Sequence, residues 1–391
     1  MLFLYLINGL FLAYCAWGAA YQFFFSAAGV FHKNTNPNTA RRQRKIAVFI
    51  PAYREDAVIL ESAKNALQQE YPSHLYRIVV IADKLQKETI AQLKQLPINV
   101  VEVAFEKSTK SKAINKALAV LSEYSYDIAV VLDADNVMKS DFLARVNQHF
   151  ESGVRALQGR RVAKNEQTGF ALLDAASEDV NNHILCKGHR TVGLSARLAG
   201  SGMAFDYRLF ENTMASVDAI GGFDKEMELR MTRQGIDIEY DEQAVVYDEK
   251  VSQSQQFSRQ RSRWLAAQYK YARRFLPSGI SQFFMKGNID FLNKTLQMTL
   301  PPRLVLPFAL FFGTILNAVF SSNLTGLWSV ALVLSASSFL LAMPKYCFQL
   351  KNIKMWLNIP MAFGATLIAL TRIREASRQF IHTPHVVQTI N

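Results

Sequence analysis

From Leu2 to Phe31 the chain carries no charged residue at all. A helix needs only about 20 apolar residues to cross a hydrocarbon core, so this segment spans with length to spare for tilt. It lacks the basic start and the short apolar region of about 7–15 residues that mark a cleaved signal peptide. We therefore read residues 1–31 as a transmembrane anchor. Arg41, Arg42, Arg44 and Lys45 follow it, and Lys345, Lys351 and Lys354 follow a later apolar segment. Basic residues beside spans mark the cytoplasmic side. The pattern predicts an integral inner or plasma membrane protein whose main polar domain is cytoplasmic. A hydrophobic content of 50% fits that class better than a soluble enzyme. The net charge of +12 sits beside the apolar segments, with no basic and aromatic recognition module, so nucleic acid is not expected as a partner. Cys15, Cys186 and Cys347 are too scattered for a disulfide framework or a thiolate metal site, and His183 with His189 reads as a helix surface rather than a ligand pair.

Residues 32–45 form a polar linker that cannot bury a core, and a domain of residues 46–275 begins at Ile46. Strands are expected at Ile46–Pro51, Arg77–Asp83, Asn99–Phe105 and Ile128–Asp133, with helices at Ala57–Gln69, Lys87–Gln95 and Ser111–Glu123 between them. Short β-branched runs alternating with amphipathic segments argue for an α/β domain with a mostly parallel, helix-covered sheet. Ligands of such sheets sit beyond the carboxyl ends of strands, which is where Asp83 and Asp133 fall. Past Phe150 the alternation breaks down into a polar-rich helix near Phe170–Lys187 and a loop, Gly200-Ser201-Gly202, expected to shape the second substrate's site. Residues 276–303 read as an interfacial region, because Phe283–Leu300 mixes apolar residues with Lys286, Asp290 and Lys294. In the membrane region, residues 304–371, spans are expected at Leu304–Phe320 and Leu324–Met343, joined by an exterior turn at Ser321, Ser322 and Asn323. Met355–Leu370 is expected as an interfacial or re-entrant element or a short span, since a full fourth span would export Arg372, Arg374 and Arg378 of the tail, residues 372–391.

Four local patterns carry chemistry. Val130-Val131-Leu132-Asp133-Ala134-Asp135 delivers two carboxylates at a strand's carboxyl end. Paired hard oxygens there suit Mg²⁺ or Mn²⁺ bridging a diphosphate; a solvated turn capping the helix near Ser140 is the alternative. Lys110 and Lys112 open a helix, and an ammonium at a helix N-terminus favours a phosphate. In Ile220-Gly221-Gly222-Phe223-Asp224-Lys225-Glu226, Asp224 reads either as a helix cap or as a general base. Gln260, Arg263 and Trp264 share one helical face, where a guanidinium fork beside an indole suits diphosphate and sugar.

Together these residues resemble the family 2 glycosyltransferases with the GT-A fold. The likeness is strongest to the membrane branch that holds hyaluronan, chitin and cellulose synthases, nodulation chitooligosaccharide synthases and ceramide glucosyltransferases. It runs from about Ile46 to Trp264, and Gln260-x-x-Arg263-Trp264 is its most specific element. The resemblance implies a Rossmann-like GT-A nucleotide-sugar domain plus transmembrane α-helices, using a UDP-sugar donor and Mg²⁺ or Mn²⁺. It implies that Glu55 and Asp83 contact the uridine, Lys112 approaches the diphosphate, Asp135 holds the metal and Asp133 helps position the nucleotide. Gly200, Ser201 and Gly202 become the acceptor loop. Asp224 becomes the base of an inverting transfer, although Phe223 replaces the family's preceding glutamate, and Glu226 and Glu228 stay in contention. The acceptor is a polysaccharide or a membrane lipid. The branch motif favours the polysaccharide slightly, and the small number of spans favours the lipid. A non-catalytic membrane subunit is the remaining alternative.

Overall fold

The computed structural model describes residues 2–34, 37, 42–251 and 253–373; Arg41, Arg374, Ser377 and Arg378 lie outside them. Helix α1 (Leu2–Val30) is followed by β1 (Ile46–Tyr53), α2 (Ile59–Ala66), β2 (Tyr76–Asp83), α3 (Lys87–Leu93), β3 (Asn99–Val103), α4 (Lys110–Val120) and β4 (Ile128–Val131). This is the expected alternation, with ends shifted by a few residues. Strands β1 and β4 are apolar throughout, and β2 is apolar between Arg77 and Asp83, because both sheet faces are covered. Ala47, Phe49, Val79, Ile81, Ala129 and Val131 face one core, and Ile46, Val48, Ile50, Ile78, Val80 and Val130 face the other.

The second half adds β5 (Val137–Met138), α5 (Phe142–Glu151), β6 (Ala156–Ala163) and α6 (Gly169–Asn181), which widens into a π-helical turn over Asn182–Gly188 before α7 (His189–Thr191). Strand β7 (Met203–Asp206), α8 (Tyr207–Met214), α9 (Phe223–Arg233), β8 (Glu239–Asp248) and α10 (Ser254–Lys286) complete it. The eight strands run β3-β2-β1-β4-β7-β6-β8-β5. Pairings β1–β2, β1–β4, β2–β3 and β6–β8 are parallel, and β7 runs antiparallel to both β4 and β6. That reversal matters for the site. Met203 pairs with Val131, so the loop entering β7 lies at the same sheet edge as the acidic turn leaving β4.

Beyond the sheet come α11 (Ile289–Gln297), α12 (Leu306–Val319), α13 (Thr325–Ala342), two 3₁₀ turns (Lys345–Phe348 and Leu350–Asn352), α14 (Ile353–Leu357) and α15 (Ile359–Thr371). Among the described residues, three segments are long and apolar enough to cross a membrane: Leu2–Val30, Thr325–Ala342 and Leu350–Thr371. Helix α12 is shorter than the expected span; at about 1.5 Å per residue it rises roughly 20 Å, against a core of about 30 Å. Helix α1 packs on α13 through Leu12, Cys15, Ala19, Trp328 and Ala331. Its second half seats Tyr21 and Phe25 on Val180, Ile184 and Leu185 of the catalytic domain. Gly188 permits this approach, because any Cβ there would collide with the Phe25 carbonyl.

Two expectations are corrected. His183 and His189 are not a helix surface. His189 is fully buried, bonded to Tyr21 Oη (3.1 Å), and His183 Nε2 meets the Ser26 carbonyl (2.9 Å), so both tie the domain to α1. The element expected at Phe283–Leu300 does not exist as one helix. Helix α10 runs on through the boundary expected at residue 275 to Lys286, where Gly287 caps it, and α11 turns its polar residues inward. Lys294 is fully buried beside Glu228 (3.4 Å), and Asp290 accepts hydrogen bonds from the Ser195 amide (2.9 Å) and hydroxyl (2.5 Å). A lysine can be buried only with such partners.

Candidate active site

The carboxyl ends of β1, β2 and β4 open into a cleft of about 360 Å³. Glu55, Asp83, Asp133, Asp135, Gly200, Asp224, Gln260, Arg263 and Trp264 all line it. Residues scattered over two hundred positions thus meet because strand ends, the start of β7 and one face of α10 converge.

At one end, β1 and β2 stop level with each other, Tyr53 opposite Asp83, and the next residues, Arg54 and Lys84, both take left-handed φ (56° and 57°). The turns place both cations over the Tyr53 ring, at 5.4 and 5.6 Å. Asp83 is 2% exposed, and its Oδ1 is buried without a hydrogen-bond partner. Burial raises its carboxyl above the ordinary range.

In the middle, the acidic turn is braced rather than merely solvated. The Asp133 amide donates to Ser201 Oγ (2.9 Å). Asn136, with its amide turned to donate to Asp135 (3.0 Å) and Asp248 (3.2 Å), accepts the Ser201 hydroxyl (2.7 Å). Lys110 Nζ bridges Asp133 Oδ1 (2.5 Å) and the Gly200 carbonyl (2.7 Å). The helix-opening lysine in the cleft is therefore Lys110. Lys112 is not on the cleft wall; its Nζ turns back to the Lys107 carbonyl (3.4 Å), because two residues along a helix rotate a side chain to another face. Of the small-residue loop only Gly200 reaches the cleft. Ser201 is wholly buried as the brace just described, and Gly202 also lies behind the wall.

The carboxylates near Gly222 divide sharply. Gly222 at φ +67° is the cap of α9, and a Cβ there would come within 2.6 Å of Ala267. Asp224 is then a first-turn residue, not the cap, and faces the cleft. Glu226 is fully buried between Arg230 (2.7 Å), Arg274 (3.0 Å) and Tyr271 (3.2 Å). Glu228 accepts the Leu198 amide (2.6 Å) and pairs with Lys294. Neither glutamate lines the cleft.

A buried ion network forms the floor, and sequence reading missed it. Asp248 pairs with Arg161 (2.6 Å) and Lys250 (2.6 Å), and Arg161 donates to the Ala199 carbonyl (2.8 Å). Burial raises the Asp248 carboxyl, but Arg161 and then Lys250 outweigh it and hold it at about 2. The available signal was charge within the strands, Arg160 and Arg161 inside β6 and Asp248 at the end of β8. Burial lowers Arg263, with Asp133 opposing.

A second cavity, about 580 Å³, adjoins the cleft. Its walls are mostly apolar side chains, including Val180 of α6, Leu265 of α10, Phe308 of α12 and Phe339 and Leu340 of α13, with Arg261 and Arg303 among them. Arg197, Lys225 and Trp264 line both spaces.

Comparison with known proteins agrees with this geometry. Residues 43–267 match the model of a glycosyltransferase like family 2. Beta-monoglucosyldiacylglycerol synthase from Nostoc is 27% identical over 240 residues, 58% of this chain and 49% of that protein. Probable glycosyltransferase YdaM from Bacillus subtilis is 24% identical over 84% of this chain and 79% of its own. The chain spans about half the length of the synthase it matches. Among solved structures, the mannosyltransferase PcManGT from Pyrobaculum calidifontis, in complex with GDP-Man and Mn²⁺, superposes with a TM-score of 0.55 at 16% identity, covering 94% of this chain and 98% of its own. The fold is the GT-A fold, and with more than half its length matched, the chain belongs to glycosyltransferase family 2.

Proposed function

We propose that the chain transfers a sugar from a UDP-sugar to the hydroxyl of a membrane lipid, with inversion at the anomeric carbon. The observation that carries the lipid choice is the shared wall of Arg197, Lys225 and Trp264 between the polar cleft and the apolar cavity. A polysaccharide has no use for an apolar chamber flanked by α12 and α13, whereas an acyl chain fills one. The synthase relatives, whose name specifies a glucosylated diacylglycerol, support the same choice.

In this reading the uracil lies against Tyr53, Glu55 and Asp83, where the unpartnered Asp83 Oδ1 suits a nucleobase N–H. Lys110, at the N-terminus of α4, and Arg263 meet the diphosphate, where cations at developing charge provide the larger share of stabilisation. Asp133 and Asp135 put two carboxylates on one wall, and among the described residues no cluster of three or more metal-ligating side chains forms. Such a donor set fits Mg²⁺ or Mn²⁺, which takes one or two carboxylates plus substrate phosphates and would supply charge neutralisation on the leaving group. Asp224 takes the acceptor's proton as its oxygen bonds to the anomeric carbon, the bond to UDP breaks, and UDP departs with the electron pair. Arg42, Arg44 and Lys45, which follow α1 in sequence, support a cytoplasmic placement of the domain, where UDP-sugars are made.

Membranes carrying the chain, supplied in turn with radiolabelled UDP-glucose, UDP-N-acetylglucosamine and UDP-galactose plus Mn²⁺ or Mg²⁺, test the proposal. One donor is expected to label a chloroform-soluble product, and EDTA to abolish it. Label in a high-molecular-weight, chloroform-insoluble product would favour the polysaccharide reading, and no label or UDP release from any donor would favour a non-catalytic subunit.

A further inference from the structure

The apolar cavity holds more cation than its walls neutralise. Three guanidiniums line it: Arg197, Arg261 and Arg303. Arg197 is paired with Glu178 (2.8 Å) and Arg261 with Asp174 (3.0 Å). Among the described residues Arg303 makes neither an ion pair nor a hydrogen bond, and its Nε is buried without a partner, as are the Nε atoms of the other two. Burial first, then the neighbouring Arg197 and Arg261, push Arg303 down to about 9. Glu178 offsets this only in part, and a guanidinium with no direct partner in a low-polarity space is unfavourable. Arg303 also stands three residues before α12, at the level where the membrane segments begin. A lipid entering between the apolar walls would bring its head group to that position.

We propose that the lipid taken by this cavity carries a phosphate, which Arg303 binds, with the free edges of Arg197 and Arg261 beside it. The inference rests on the lipid-acceptor reading above and narrows it. A phosphate accepts a guanidinium fork through two parallel charge-assisted bonds, whereas a neutral diacylglycerol would leave Arg303 unpaired. The site therefore selects an anionic phospholipid with a hydroxylated head group over a neutral glyceride.

Two probes with a free hydroxyl isolate the phosphate: phosphatidylglycerol and dioleoylglycerol, each fluorescently labelled on an acyl chain and titrated into the full chain in detergent micelles. Phosphatidylglycerol is expected to bind about tenfold tighter or better. Arg303→Gln is expected to bring it to the dioleoylglycerol value, and Arg303→Lys to keep most of the difference. UDP binding is expected to stay at the parent value in both variants, which verifies their folding. Equal binding of the two lipids, or unchanged discrimination in Arg303→Gln, overturns the phosphate and leaves the lipid acceptor standing. Saturable binding of neither lipid overturns both.

Discussion

Asp224 and Glu226 stand two residues apart in the first turn of α9, and their surroundings separate their roles. Asp224 faces the cleft, while Glu226 is enclosed by Arg230, Arg274 and Tyr271. Asp224→Asn keeps the shape but not the basicity, so kcat is expected to fall about 10²-fold or more with UDP affinity near that of the parent. Glu226→Gln is expected to lower the melting temperature while the folded fraction keeps nearly full kcat. An exchange of these outcomes would move the base to Glu226. The same contrast applies to the lysines: Lys110→Ala should raise the donor KM and lower kcat, and Lys112→Ala should do neither. Sequence could place both lysines at a helix start but could not say which faces the cleft, because that depends on where the helix meets the sheet. The D-x-D turn and the Gln260, Arg263, Trp264 face were legible, since strand ends and helical spacing fix direction by themselves.

At the scale of elements, the alternation from β1 to β4 was readable because β1, β2 and β4 are buried on both faces and each helix on one. The second half was not. Strand β7 owes its antiparallel place to Met203 pairing with Val131, a long-range register with no local signature. Charged pairs such as Arg161 with Asp248 are buried because two distant strands bring opposite charges together. The membrane elements yield a topology prediction. Asn34 and Lys351 lie beside basic residues expected on the cytoplasmic side, and Ser322 lies in the turn between α12 and α13. Single cysteines at Asn34 and Lys351 are expected to resist a membrane-impermeant thiol reagent in intact cells, and one at Ser322 to react. Helix α15 packs Ala362 and Ala365 on Phe257 of α10 and Phe170 of α6, which holds it against the catalytic domain, although Leu350–Thr371 is also long and apolar enough to cross a membrane. Labelling at Asn34 would put the domain on the wrong side for its donor.

At the scale of the molecule, the membrane helices do more than anchor. Helix α1 reaches the domain through Tyr21, whose hydroxyl meets His189 (3.1 Å) and donates to Asn293 (2.9 Å). Lys294 joins that cluster to Glu228, which holds the Leu198 amide next to the cleft. Helices α12 and α13 complete the wall of a chamber that opens beside Trp264. None of this was legible in hydropathy, which marks a segment as apolar without saying what it faces. The view that cleft and chamber form one two-substrate site is decided by closing the chamber from its membrane side. Ala336 of α13 lines the chamber, far in sequence from every cleft residue, and Ala336→Trp fills that wall without touching the donor's contacts. Transfer of label from the UDP-sugar to chloroform-soluble product is expected to fall at least about tenfold, with UDP binding at the parent value. Undiminished lipid labelling by Ala336→Trp would contradict the assignment of the chamber to the acceptor.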